Sequence, residues 1–193
     1  MQLQDFFRDN FGIKNREMLR EMERLSQLVS VKRGDLLTRV GESPVSLFLL
    51  VQGVFRGYFF DDNGRDITEC FAYLPGTPVM ACTELGMPSN INLVALEDST
   101  CVAIPIEELR LLMILYPELL KLSNQLLLDA LHYHWEIKSL MYKYTARQRY
   151  QWFQEKHPGL LGLAGAKYVA SFLNMTPVTL SRLRRELKED GEP

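Results

Sequence analysis

The sequence is poor in the residues that most metal sites and disulfides require. It has three histidines, none before His132, and three cysteines at widely separated positions. A histidine-rich metal centre is therefore excluded from the chain before residue 132. An odd number of scattered cysteines is typical of buried thiols in a reducing compartment. We expect no metal and no cofactor.

Long apolar runs and signal-peptide features are also missing. No run approaches the roughly 18 residues of a membrane-spanning helix, and the first ten residues mix acidic and apolar positions. The acid pairs Asp61-Asp62 and Glu107-Glu108 fall in a predicted turn and at a predicted helix start, where solvated carboxylates are common. We predict a cytoplasmic protein with no membrane partner that is not an enzyme.

The stretch from Leu28 to Pro105 has the pattern of a small β-barrel. Short runs rich in Val, Phe, Tyr and Ile are separated by glycines, and Asp61–Gly64 is a good hairpin turn. About eight strands are predicted, arranged as a jelly roll or small barrel. Two short helices broken near Gly12 precede it. We assign residues 1–116 to an effector-sensing barrel domain with this helical lead-in.

A long helix is predicted over residues 117–144, because Pro117 starts an apolar pattern with two stripes. A helix that is apolar on two faces must be buried on two sides. One side covers the barrel, and a second copy of the helix covers the other in a two-fold dimer. A central helix in a monomeric core is the alternative. The predicted dimer residues are Leu120, Leu127, Leu131 and Trp135.

Residues 145–193 are predicted to form a helix-turn-helix domain. Within Ala166–Lys188, Asn174 tolerates the positive φ of a turn, and Thr176-Pro177 is a strong start for a second helix. His157–Gly165 is predicted as a loop. The chain from residue 143 to 188 carries nine Lys/Arg and two Asp/Glu, a net charge of +7, which leaves −9 for the rest. Such a concentrated charge favours a double-stranded DNA partner.

The residues expected to face DNA lie on the second helix and its flanks. Arg182 is the predicted guanine contact and Val178 a candidate for a thymine methyl group. Phosphate contacts are expected from others. The whole predicted set is Lys167, Thr176, Pro177, Val178, Thr179, Ser181, Arg182, Arg184, Arg185 and Lys188.

The order of elements resembles the Crp/Fnr family of transcription regulators over nearly the whole chain. Gly41-Glu42, followed by Leu47–Leu50 and Gly53, is similar to that family's barrel signature. The resemblance implies an α+β fold with a cyclic-nucleotide-binding-like jelly roll, a dimerisation helix and a helix-turn-helix. A full β-hairpin wing is common in that family, but only six residues follow Leu187, so we expect a helix-turn-helix without a full wing. The resemblance also implies RNA polymerase as a partner and places Arg182 at the family's base-contacting position, whereas Pro177 and Val178 depart from its pattern.

The resemblance places an effector pocket near Met80, Ala81, Glu84, Ser89 and Asn90. The position of the family's phosphate-binding arginine falls at about Ser89 in this sequence, and no basic residue lies between Arg65 and Arg110. A buried phosphate without a cation is costly, so we expect cyclic AMP not to bind. We predict a homodimeric regulator of a palindromic operator that is constitutive or responds to another effector. The alternative is a small-molecule-binding module whose helix-turn-helix docks a protein.

Overall fold

The computed structural model describes residues 2–80 and 84–189 and opens with two short helices. α1 (Leu3–Phe11) ends at Gly12, which has left-handed backbone angles. α2 (Arg16–Leu25) begins at Asn15, whose side chain accepts two backbone N–H groups. Both helices bury an apolar face in a core that includes Phe6, Phe7, Met18, Leu19, Leu49 and Val102.

Seven strands follow and form two antiparallel sheets: β1 (Gln27–Val31), β2 (Leu36–Thr38), β3 (Ser46–Gln52), β4 (Phe55–Phe60), β5 (Asp66–Ala72), β6 (Asn92–Ala95) and β7 (Ser99–Pro105). One sheet has the order β1-β7-β3 and the other β2-β6-β4-β5. Between them lies an apolar core that includes Leu50, Phe55, Leu93 and Cys101. The predicted barrel is confirmed.

The strand count within the described residues is seven rather than about eight. The stretch after β5 contains Pro75 and Pro78, and Pro78 makes only an isolated bridge to Leu49. Residues 76–79 do exchange backbone hydrogen bonds with Phe48 and Leu50 of β3, but proline has no N–H for a strand ladder, so no regular eighth strand forms here. The predicted hairpin at Asp61–Gly64 does join β4 and β5, with Gly64 at φ 74°.

Two helices connect the barrel to the C-terminal region, α3 (Ile106–Leu115) and the 27-residue α4 (Pro117–Lys143). Leu119 of α4 is buried in the core that it shares with α1 and α2. Leu140 is buried in the core of the C-terminal helices, against which Tyr133 and Ile137 also pack. In the described part of the chain, no single helix is long and apolar enough to cross a membrane. α3 and α4 meet those criteria only as a pair, and they bend by 117° at their junction.

Four further helices complete the fold: α5 (Ala146–Lys156), α6 (Leu160–Ala164), α7 (Ala166–Phe172) and α8 (Pro177–Glu189). The prediction of a loop over residues 157–165 was wrong in part, because this stretch contains α6. Gly159 and Gly165, both at positive φ, bound a five-residue helix instead of interrupting it. Val54 of the barrel shares one core with Leu140, Val169 and Leu180.

Candidate nucleic-acid interface

α7 and α8 form the predicted helix-turn-helix. Ala170 is fully buried, so nothing bulky separates the two helices, and Leu180, Leu183 and Leu187 bury the inner side of α8. Asn174 has φ 50°, as the turn requires. The Thr176 hydroxyl accepts the backbone N–H of Thr179 at 3.1 Å and caps α8. The sequence-level description of this turn is therefore confirmed in its local geometry.

The opposite side of α8 is open to solvent. Val178 is 79% exposed, although large apolar side chains are usually covered. We call the outward residues of this helix the recognition face: Pro177, Val178, Ser181, Arg182, Arg185 and Lys188, all of which are exposed. Lys167, on the first turn of α7, is exposed as well. The structure thus brings most of the predicted DNA-facing residues onto one accessible side.

Two arginines of the recognition face pair with acids one turn further along the same helix. Arg182 Nε lies 3.5 Å from a Glu186 carboxylate oxygen, and Arg185 Nε lies 3.9 Å from one of Glu189. Exposed pairs of this kind contribute about 0.3–0.5 kcal/mol. A guanine or a phosphate can therefore displace either acid at small cost.

Other predicted phosphate-contacting groups are engaged inside the domain. The hydroxyls of Thr176 and Thr179 lie 2.9 Å apart, and Thr179 is only half-exposed. Arg184 donates a hydrogen bond to Tyr150 of α5, and this bond opposes the effect of burial, which raises the pKa of Tyr150. These three residues help to hold α8 in position, whether or not they also contact DNA.

Arg149 of α5 was counted in the basic charge, but its structural role was missed. Its guanidinium donates to the backbone carbonyls of Leu173 at 2.9 Å, Tyr144 at 2.9 Å and Asn174 at 3.3 Å. It therefore fixes the turn between α7 and α8 to the preceding helix. Lys156 is also paired, at 3.1 Å from Glu136. Sequence carries no signal that separates cations with such distant partners from those without them.

The second stripe of α4 remains uncovered. Its exposed apolar side chains include Leu120, Leu127, Leu131 and Trp135, the residues predicted to contact a second chain. The ammonium of Lys138 lies 4.9 Å from the centre of the Trp135 ring. Since Leu119, Ile137 and Leu140 of α4 pack within the chain, the side of α4 that carries these exposed residues is the one available to a partner.

In the predicted effector segment, the hydroxyl of Ser89 is not available to a ligand. Ser89 is buried, and its hydroxyl donates to the Ile91 carbonyl at 2.5 Å. Met80 is half-buried and Asn90 and Glu84 are exposed, while Ala81 lies outside the described residues. A cation does reach this segment from α3, because Arg110 Nη2 donates to the Leu85 carbonyl at 2.6 Å. Sequence spacing alone had placed no basic residue here.

The helix-turn-helix packs against the barrel through an arginine that the sequence interpretation missed. Arg56 of β4 is buried and forms a two-nitrogen ion pair with Asp66, while its Nε donates to the Thr68 hydroxyl at 2.8 Å. Its guanidinium carbon lies 4.6 Å from the Tyr58 ring centre and 4.1 Å from that of Tyr168 in α7. We call these five residues the Arg56 cluster.

Further contacts tie α7 to β5, the edge strand of its sheet. The Ser171 hydroxyl accepts the backbone N–H of Thr68 at 2.9 Å and donates to the Asp66 carbonyl at 3.2 Å. The rings of Phe71 and Phe172 pack with centres 5.5 Å apart. α7 therefore covers part of a strand edge that would otherwise expose backbone groups.

His157 joins three regions of the chain. Its Nδ1 lies 2.9 Å from the Tyr73 hydroxyl next to the barrel, and its Nε2 lies 2.9 Å from the Tyr133 hydroxyl of α4. Burial, followed by the Lys156 charge, lowers the pKa of His157 from 6.5 to about 4. A neutral imidazole can donate to one tyrosine and accept from the other, so both bonds are satisfied.

Beside the Arg56 cluster lies a cleft of about 340 Å³ between β5, α4 and α7, here called the junction cleft. Its apolar walls are formed by Phe59, Ile67, Tyr133, Ile137, Met141 and Phe172. Neither this cleft nor a second one of about 250 Å³ near Gly12 is lined by the predicted effector residues. Among the described residues, no three His, Cys, Asp or Glu side chains are arranged to hold a metal ion.

The sequence over residues 28–115 matches the family of the cyclic nucleotide-binding domain. No curated protein matches the chain at a significant level. Among solved structures, FixK2 from Bradyrhizobium japonicum is 18% identical, with a TM-score of 0.76 and coverage of 86% of each chain.

Two other solved structures have the same fold. A mutant of CooA from Carboxydothermus hydrogenoformans is 18% identical, with a TM-score of 0.74 over 99% of this chain and 86% of that one. A crp/fnr-family transcriptional regulator from Eubacterium rectale is also 18% identical, with a TM-score of 0.65 over 92% and 85%. Residues 28–115 are therefore similar in sequence to the cyclic nucleotide-binding domain, and the chain as a whole has the same fold as these three solved structures, one of which is a crp/fnr-family transcriptional regulator.

Proposed function

We propose that the protein is a DNA-binding transcription regulator that acts as a homodimer on a palindromic operator. One observation carries the proposal: α8 buries Leu180, Leu183 and Leu187 and turns a basic recognition face to solvent. That arrangement suits insertion of a helix into the major groove. Its fold, shared with a crp/fnr-family transcriptional regulator, supports the same function.

Within the recognition face, Arg182 is proposed to contact guanine and Val178 a thymine methyl group. Arginine binds the O6 and N7 atoms of guanine with two hydrogen bonds, worth about 1–3 kcal/mol of discrimination. Arg185 and Lys188, with Lys167 from α7, are proposed to contact phosphates. Thr176, Thr179 and Arg184 are better suited to hold α8 in place, because each already has a partner in the domain.

The dimer is proposed to form through the exposed stripe of α4. A stripe containing Leu120, Leu127, Leu131 and Trp135 is unusual on a helix that stays in water. Two-fold pairing would place two α8 helices so that each enters one of two successive major grooves, about 34 Å apart. RNA polymerase is proposed as a further partner. The barrel would sense an effector other than cyclic AMP, or the protein would act constitutively.

A second candidate is a ligand-binding regulatory module whose helix-turn-helix docks a protein. The match of residues 28–115 to the cyclic nucleotide-binding domain favours it, because that match covers the barrel and ends before the recognition helix. The two candidates differ in whether the basic face of α8 binds nucleic acid.

Selection of bound fragments from genomic DNA at low salt tests the proposal. We expect a symmetric consensus sequence, and binding that weakens steeply as salt is added. Arg182→Ala should remove the preference at one base pair in each half-site, whereas Lys188→Ala should weaken all sequences alike. Arg24→Ala, in an exposed pair on α2, serves as the control. Absence of any DNA retention at low salt would favour the docking module instead.

A further inference from the structure

The junction cleft lies where a bound molecule would touch the barrel, α4 and the helix-turn-helix at once. Its lining includes Ile67 and Glu69 of β5, Ile137 of α4, and Ser171 and Phe172 of α7. Its volume of about 340 Å³ is within the range of small-molecule pockets. By contrast, Ser89 in the expected effector segment is buried, and its hydroxyl already donates a hydrogen bond to the backbone carbonyl of Ile91.

The residues that line the cleft indicate that the main part of a ligand would be apolar. Six of the thirteen lining residues are aromatic or aliphatic, and the larger part of the surface of the cleft is apolar. Cys70 is also present, but burial and then the adjacent Glu69 raise the pKa of its thiol well above the ordinary value. The thiol therefore remains protonated and unreactive at neutral pH. The cleft is suited to reversible binding of a compact ring system rather than to covalent chemistry.

One acidic group defines the polar end of the ligand. Of the described residues that line the cleft, Glu69 is the only Asp or Glu, and its side chain is 28% exposed. The lining also contains His134, whose Nδ1 is 3.6 Å from Glu69 and whose side chain is 61% exposed, so it is free to move aside. A carboxylate between apolar walls attracts a cation more strongly than one in open water. Arg65 also lines the cleft, but its side chain is exposed and its charge is screened by water.

We propose that the junction cleft binds a small aromatic or alicyclic molecule with one protonated amine, which pairs with Glu69. The proposal deepens the proposed function, since it gives the unknown effector a site and a chemical class. A ligand in contact with Ser171 and Phe172 would also change the contacts that hold α7 on β5. Its binding would therefore alter the affinity of the recognition face for DNA.

Three probes of equal ring size test the charge preference: 1-naphthylmethylamine, 1-naphthalenemethanol and 1-naphthaleneacetate. Each is titrated into the isotope-labelled full chain, and the backbone amide signals of Glu69, Cys70, Ser171 and Phe172 are followed by NMR. We expect saturable shifts at these positions, with the amine binding about tenfold more tightly than the acetate. Equal affinity of the three probes, tighter binding of the acetate, or shifts confined to other residues would overturn the assignment.

Variants distinguish binding of the probes in the cleft from non-specific binding elsewhere on the protein. Glu69→Gln should remove the preference for the amine, and Ile137→Trp should fill the cleft and abolish binding of all three probes. Ile137→Phe, a milder filling, serves if the Trp variant does not fold. Glu97→Gln, an exposed acid outside the cleft, should leave the titration unchanged. Retained amine preference in Glu69→Gln would refute the role of that carboxylate.

The probe titrations use protein without DNA, so they are informative even if the proposed DNA binding fails. DNA retention is then measured with and without saturating amine. A changed affinity in the wild type but not in Ile137→Trp would link the cleft to the recognition face. An unchanged affinity in the wild type would refute regulation through this site while leaving both DNA binding and the binding assignment intact.

Discussion

The Arg56 cluster allows a prediction about stability. The ranking of three variants by their free energy of unfolding tests it more sharply than the size of any one loss. Asp66→Ala leaves a buried guanidinium whose partners in the described part of the chain are the Thr68 hydroxyl and the rings of Tyr58 and Tyr168. Loss of one member of a buried ion pair costs about 3–5 kcal/mol. Because the two rings and the hydroxyl still stabilise the cation, we expect a loss of about 3 kcal/mol in the free energy of unfolding.

Arg56→Met should cost less than Asp66→Ala. The Asp66 side chain is 30% exposed, so water can solvate it once the arginine is gone, and methionine fills much of the vacated space. The remaining cost is the lost hydrogen bonds of a charged group, about 2 kcal/mol. The double variant should be more stable than Asp66→Ala alone, because the second substitution removes the unpaired buried charge.

Urea unfolding, followed by circular dichroism and by the fluorescence of Trp135 and Trp152, measures these differences. Coincident transitions by the two probes are needed for a two-state comparison. Arg24→Met, which breaks an exposed pair with Glu21, is the matched control and should cost no more than about 0.5 kcal/mol. A double variant less stable than Asp66→Ala would refute the view that burial of the cation dominates the cluster.

Three further results are expected. Leu131→Glu should convert a dimer to a monomer in light scattering, with far-ultraviolet circular dichroism retained, and a dimeric variant would exclude the exposed stripe as the contact. Calorimetry with cyclic AMP should show no saturable heat, and micromolar binding would mean that the barrel segment accepts a phosphate. Because His157 has a pKa lowered from 6.5 to about 4, the unfolded chain binds more protons in that interval. Stability should therefore fall as pH drops from about 6.5 to about 4 and do so less steeply in His157→Gln, as measured by urea unfolding at each pH.

Much of the fold could be predicted because its signals are local. The hairpin at Asp61–Gly64, the start of α4 at Pro117 and the turn at Asn174 each depend on residues within a few positions. The short helix α6 was missed for a related reason: five residues are too few to show a helical period, and the surrounding glycines suggested a loop.

The interface between barrel and helix-turn-helix could not be predicted in this way. Arg56 occupies a strand position that would ordinarily face solvent, and nothing nearby in the sequence indicates its burial. The segment that covers it is distant in the chain: Ser171 bonds to Thr68 across 103 residues. His157 likewise meets Tyr73 across 84 residues. Pairings at such separations depend on tertiary packing, for which a single sequence gives no periodic signal.

Six of the nine cations of the basic C-terminal stretch fall into two groups with different roles. Arg149, Arg184 and Lys156 have partners within the chain, and Arg149 holds the carbonyls of the very turn that orients α8. Arg182, Arg185 and Lys188 lie on the recognition face, and the ion pairs of Arg182 with Glu186 and of Arg185 with Glu189 are exposed. The net charge of +7 over residues 143–188 therefore overstates the charge available to phosphates. Arg149 and Arg184 instead help to position α8, the first through the carbonyls of the turn before it and the second through its hydrogen bond to Tyr150 of α5.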